Sequence, residues 1–196
     1  MLDLIKGGWV MLPLIMSSLI ALTIVIERFV YFWRLRKVDV ADEVLKLVNN
    51  GRVYDGLILA RSSVLPLSKV LSSGIVHKNE PAKAMAAAAI NEFAVMRRGM
   101  PALDTIITLA PLLGLLGTIL GMMNSFQVMA VVDSGGSPNA VTGGVAEALI
   151  ATATGISIAV LTLIPYNYFT ARIEHESEMI DHYATELEMS LVKQES

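Results

Sequence analysis

A single carboxylate, Glu147, lies inside a long apolar stretch, and a second such stretch carries hydroxyls instead of charges. Holding a carboxylate at mid-bilayer costs about 2.5–3.5 kcal/mol on insertion scales, so intramembrane acids are rare and functional. Two explanations fit Glu147: it lies about two turns inside the outer boundary and reaches water there, or it serves an ion or proton path or a partner contact. Beside it stand Gly144, Ala148, Ala151, Thr152, Gly155 and Ala159. Thr152 is five residues further on, about 140° around a helix, with the small-residue face between the two. In the other stretch Gly114, Gly117, Thr118, Gly121 and Ser125 fall within one sector roughly 100° wide, with Asn124 at its edge. Hydroxyls on such a line either bond back to their own helix or hydrogen-bond water or an ion. Pro111 frees a backbone carbonyl in the same helix. Small residues mark where membrane helices approach each other, and an acid there seldom faces lipid. Something polar passes or binds where these two helices meet.

The elements that must position these residues follow from composition. With 54% hydrophobic and 17% charged residues, the chain reads as a polytopic membrane protein. A net charge of −3 gives no basic surface for nucleic acid, and zero cysteines exclude disulfides, thiol catalysis and Cys-ligated metals. Three stretches are long enough to cross a bilayer, which takes about 20 apolar residues. The first holds only Asp3 and Lys6 in its leader and runs too long for a cleaved signal, so it reads as a retained helix. Arg28, Arg34, Arg36 and Lys37 follow it, Arg97 and Arg98 precede the second span, and Arg172 follows the third. The cations therefore gather on one side, which is the cytoplasmic one. The expected organisation is an all-α membrane protein with three transmembrane helices, cytoplasmic helical extensions and a ring-forming oligomer. In residues it is a periplasmic N-terminus 1–8, first span 9–33, cytoplasmic helical region 34–100, second span 101–132, periplasmic hairpin 133–139, third span 140–169 and cytoplasmic C-terminal helix 170–196.

Within the cytoplasmic region, Asp39 is placed to cap a helix that stops at Asn49-Asn50-Gly51, and shorter helices are expected over Tyr54–Ser62 and Leu67–His77. Asn79-Glu80-Pro81 then starts a helix. The expectation is one long helix from there into the second span, kinked at Pro101, because membrane helices tolerate glycine and proline. In the tail Ile173, Ile180, Tyr183, Leu187 and Leu191 form a heptad-like stripe, for which a neighbouring copy is the economical partner. Glu27 and Arg28 at the inner boundary can both snorkel to water. His175 and His182 share a face but read as solvated surface, since no zinc-type spacing surrounds them. Nothing resembles a phosphate loop, nucleophile elbow or metallohydrolase helix, so neither an enzyme nor a cofactor is expected.

Arg98-Gly99, Ala110-Pro111-Leu112-Leu113-Gly114-Leu115-Leu116-Gly117-Thr118, Gly121-Met122 and Phe126 resemble the second span of the ExbB/TolQ/MotA group, the ring subunits of ion-driven inner-membrane motors. Ala146-Glu147-Ala148-Leu149-Ile150-Ala151-Thr152-Ala153, Gly155 and Tyr166-Asn167 resemble its third span, and three spans match the ExbB/TolQ branch. The resemblance implies a homopentameric ring in the bacterial inner membrane around the single helices of a dimeric ExbD/TolR-like partner, with a TonB/TolA-like protein as a further partner candidate. It implies that Thr118 and Thr152 face the partner's aspartate and that Glu147 is the pore-side glutamate; the residue types themselves add Ser125 to the expected ion pathway and give Gly114, Gly117, Gly121, Ala148, Ala151 and Gly155 to helix packing. The family's Ile-Pro-Ala is absent: its place is taken by Leu161, and the proline is Pro165, which moves the expected kink toward the cytoplasm. The resulting expectation is a proton-driven energy-coupling subunit; the alternative is a non-conducting oligomeric scaffold. A substrate carrier fits less well, because the spans show no inverted repeat.

Overall fold

A computed structural model describes residues 9–35, 40–131 and 138–195. The N-terminal stretch 1–8, the proposed cap Asp39 and the hairpin body at 133–137 lie outside the described residues. The described residues are helical, in the order α1 (Met11–Arg34), α2 (Ala41–Asn49), α3 (Val53–Ser62), α4 (Pro66–Val76), α5 (Pro81–Met96), α6 (Met100–Val131) and α7 (Pro138–Glu195). Three of them, α1, α6 and α7, are long and apolar enough to cross a membrane. They divide into two compact units, Met1–Arg28 with Gly99–Tyr168, and Phe29–Arg98 with Phe169–Ser196.

In the first unit the buried positions are few and regularly spaced. Leu103, Ile106, Ala110 and Ser125 are buried on α6, and Ala148, Ala151, Ala159 and Thr162 on α7. Spacings of 3, 4 and 15 on α6 and of 3, 8 and 3 on α7 keep each set on one helix face. Val10 just before α1, and Met11, Leu14 and Ala21 on it, are also buried. The remaining surface of these helices is large and apolar, with Leu112, Leu115, Phe126, Leu149, Leu161 and Ile164 exposed. A helix apolar all round needs lipid or another helix about it.

Two sequence expectations are corrected here. The chain does not run as one helix into the second span: α5 ends at Met96, Arg97–Gly99 form a turn, and α6 begins at Met100. Gly99 adopts φ +80, the left-handed conformation that ends helices, and Pro101 sits in the first turn of the next helix, where its missing N–H is no loss. Pro165, in contrast, lies inside α7, which is assigned as a single 58-residue helix through it.

The second unit is a small helical packing around α4. α2 ends on Gly51 at φ +76, with Gly51 N–H donating to the Val48 carbonyl and Arg52 N–H to that of Leu47, a Schellman stop. Proline opens both α4 and α5. The tail stripe is covered within the chain and not by a neighbouring copy, which corrects the second expectation. Leu187 reaches Gly74, the Tyr183 hydroxyl donates to Asp42 Oδ1 at 2.6 Å, and Ile180 shares a cavity wall with Val70 and Met85. The stripe needs a partner, and α2, α4 and α5 supply one. Leu187 is 0% exposed. Leu187→Ala should therefore destabilise the protein by about 2–5 kcal/mol, read as an earlier thermal unfolding transition in detergent.

Candidate functional site

The seam between α6 and α7 is built from absent side chains. A Cβ added to Gly114 would come within 2.9 Å of Thr152 Cα, one on Gly117 within 2.7 Å of Ala151 Cβ, and one on Gly121 within 2.8 Å of Ala148 Cβ. A Cβ on Gly155 would strike the Ala110 carbonyl oxygen, and one on Gly144 the Ser125 hydroxyl. The two backbones thus touch along about three turns, and the six small residues Gly114, Gly117, Gly121, Ala148, Ala151 and Gly155 meet in one seam.

The hydroxyls along it are used differently. Thr152 Oγ1 donates across the seam to the Gly114 carbonyl at 2.8 Å, a bond that the backbone contact makes reachable. Thr118 Oγ1 donates to Leu115 in its own helix at 2.7 Å and stays half-buried. Ser125 Oγ donates to Gly121 at 2.9 Å and is 4% exposed, packed on Gly144. Within one chain Ser125 therefore faces α7.

Glu147 is half-buried and looks elsewhere. Together with Asn124 it lines a cavity of about 250 Å³, whose other walls include Trp9, Val10, Leu120 and Ala148. Among the described residues, neither the Glu147 nor the Asn124 side chain forms a hydrogen bond or ion pair. The structure does not bring Glu147 and Thr152 together. It does bring the turn leading into α1 to the site, through Trp9 and Val10, which sequence reasoning missed. The signal available for it was the 10, 14, 21 spacing of small and medium apolar residues.

Arg28 is a second departure. Its guanidinium is 2% exposed instead of reaching to water, with Nη2 at 2.6 Å from Glu27 Oε1 and Nε at 3.1 Å from Oε2. The forked pair keeps a buried charge compensated, as such a charge requires. Among the described residues no cluster of three His or acidic side chains is placed to hold a metal.

The model of the MotA/TolQ/ExbB proton channel family matches residues 62–182. An ExbB-like protein of Synechocystis sp., named for biopolymer transport, is 36% identical over 201 residues, covering 95% of this chain and 77% of that one. The biopolymer transport protein ExbB of Neisseria meningitidis is 28% identical over 200 residues, with 92% and 90% coverage. The Tol-Pal system protein TolQ of Pseudomonas aeruginosa is 42% identical, but over 93 residues, 47% of this chain and 40% of that one.

Proposed function

The chain belongs to the MotA/TolQ/ExbB proton channel family, and from that premise we propose that it is the ring subunit of a proton-driven motor in the bacterial inner membrane. The observation that carries the reading is Glu147, an acid inside a span, without a partner among the described residues, open to a cavity beside a backbone-to-backbone helix seam. Such a group is costly in a membrane unless water or an ion reaches it. The cation asymmetry around the three spans supports a periplasmic N-terminus and a cytoplasmic C-terminus.

In this reading several copies, five by the family pattern, enclose an ExbD/TolR-like pair of single helices, with a TonB/TolA-like protein as the downstream partner. The partner supplies a protonatable aspartate. Against leucine that aspartate stays protonated, whereas facing Thr118 or Thr152 it ionises more readily. One charge crossing 100 mV releases about 2.3 kcal/mol, which is the source of the work. The relatives similar over nearly the whole chain carry biopolymer-transport names, while the TolQ likeness spans under half of it, which favours an ExbB-type load. The alternative, a non-conducting scaffold, draws on the internal bonding of Thr118 and Ser125, which lets those hydroxyls serve packing alone.

Glu147→Gln in cells carrying the partner separates the two. A motor should assemble normally and lose proton-dependent output by about ten-fold or more, equal to roughly 1.4 kcal/mol on the transfer barrier. Full output from the assembled variant favours the scaffold.

A further inference from the structure

The cavity in front of Glu147 has more polar potential than its protein neighbours use. Every hydroxyl along the adjoining seam is already committed to a helix carbonyl: Thr118 to Leu115, Ser125 to Gly121, Thr152 to Gly114. Among the described residues of the lining, the polar side chains beside the Trp9 indole are the Glu147 carboxylate and the Asn124 carboxamide, and neither has a hydrogen bond to another described residue. An apolar void stays dry, but one with two or more free polar partners holds water, each water taking roughly 30 Å³. At about 250 Å³ this void has room for several. Among the described residues its walls carry a carboxylate and no lysine or arginine. A carboxylate in low-dielectric walls draws cations in and turns anions away.

The lining also fixes where the void sits in the chain. It is made from the turn leading into α1, the second half of α6 and the first turns of the membrane part of α7. Those three segments share one side of the membrane, the outer one on the topology proposed above.

We propose that Glu147 and Asn124 form the wall of a water-filled vestibule for hydrated monovalent cations, built inside one subunit from its own three membrane helices and open to the outer side. This deepens the motor reading and rests on it for the direction of opening. It gives Glu147 an aqueous approach past Val10 and Trp9 within a single chain, on the α1 side and not along the Thr152–Gly114 seam. The seam behind it is closed by the Gly117–Ala151 and Gly121–Ala148 contacts.

The chain has no cysteine, so single cysteines report access without background. Asn124→Cys stands in the void, and Phe126→Cys stands two residues on, exposed on the other side of α6. Both are labelled in the full-length protein, in membranes presenting the outer face, with impermeant methanethiosulfonates bearing either a trimethylammonium or a sulfonate group. The expected result is that Asn124→Cys labels from outside, about ten-fold faster with the cationic reagent, while Phe126→Cys labels with neither. Adding Glu147→Gln should bring the two rates on Asn124→Cys together. Leu120→Cys, from the same lining, replaces Asn124→Cys if that variant fails to assemble. The vestibule is overturned if the lining cysteine labels no faster than Phe126→Cys, labels only from the inner side, or keeps its charge preference without the carboxylate. Labelling reads access and not output, so an unreactive cysteine leaves the motor reading to the Glu147→Gln output assay. A reactive, charge-selective cysteine beside an undiminished output supports the vestibule and removes the motor.

Discussion

Gly155→Leu should separate α6 from α7 and leave a protein that neither assembles nor melts cooperatively at its normal temperature. Ordinary overpacking costs about 1–3 kcal/mol because side chains and backbone can shift to relieve it. At Gly155 the obstruction is backbone on both counts: the Ala110 carbonyl oxygen and Gly114 Cα, the latter 3.2 Å from the new Cβ. Neither can rotate aside, so relief comes only by moving the helices apart. That movement also breaks the Thr152–Gly114 hydrogen bond, worth about 1 kcal/mol net, and opens the Gly117 and Gly121 contacts together. We expect a loss above roughly 3 kcal/mol. Two comparators define the cause. Gly143→Ala meets no atom within 4 Å and should gain up to about 1 kcal/mol from helix propensity. Gly74→Ala meets Met85 Sδ at 2.6 Å, a flexible side-chain end that can yield, so its cost should be smaller than that at Gly155. Thermal unfolding and oligomer size in detergent read all three. If the Gly155→Leu protein melts like the parent, the backbone seam is not what joins these helices.

The glycines of that seam were legible as types and spacings, because close approach requires a missing Cβ and nothing else. The three spans were legible for a similar reason: length and apolarity are properties of the chain by itself. What could not be read was register. That Thr152 meets the Gly114 carbonyl, while Thr118 four residues later on the same face bonds to its own helix, depends on how far one helix slides along the other. Spacing within a helix carries no such information. Val10 was invisible as a site residue because a lone valine has no chemical signature; only the path of α1 brings it to Gly117. The break between α5 and α6 was a different failure. Gly99 followed by Pro101 is a stop and a start; membrane helices tolerate both residues inside a span, but these sit at the end of one, where the ordinary rule governs. The tail stripe shows the complement: its periodicity was sound, but a periodicity does not name its partner, and here α2, α4 and α5 of the same chain cover it.

That contrast between the two threonines gives the second large effect. Valine matches threonine in shape and lacks the hydroxyl. Thr152→Val removes a bond between helices and should cost about 0.5–1.5 kcal/mol in thermal stability. Thr118→Val removes only a bond to Leu115 three residues back, on a half-exposed face, and should change stability by less than about 0.5 kcal/mol. If the hydroxyls exist for packing, output must follow stability, so Thr118→Val would be silent and Thr152→Val mildly impaired. If they stabilise a partner carboxylate as it loses its proton, the order changes: Thr118→Val should lose output about ten-fold or more while melting like the parent, since a barrier rise of roughly 1.4 kcal/mol suffices. The double variant should assemble with the partner and be without proton-dependent output. Stability and output measured on the same preparations decide between them, because packing can move the second only through the first. A double variant that assembles and works at the parental rate removes both threonines from the proton path and leaves Glu147 to account for it alone.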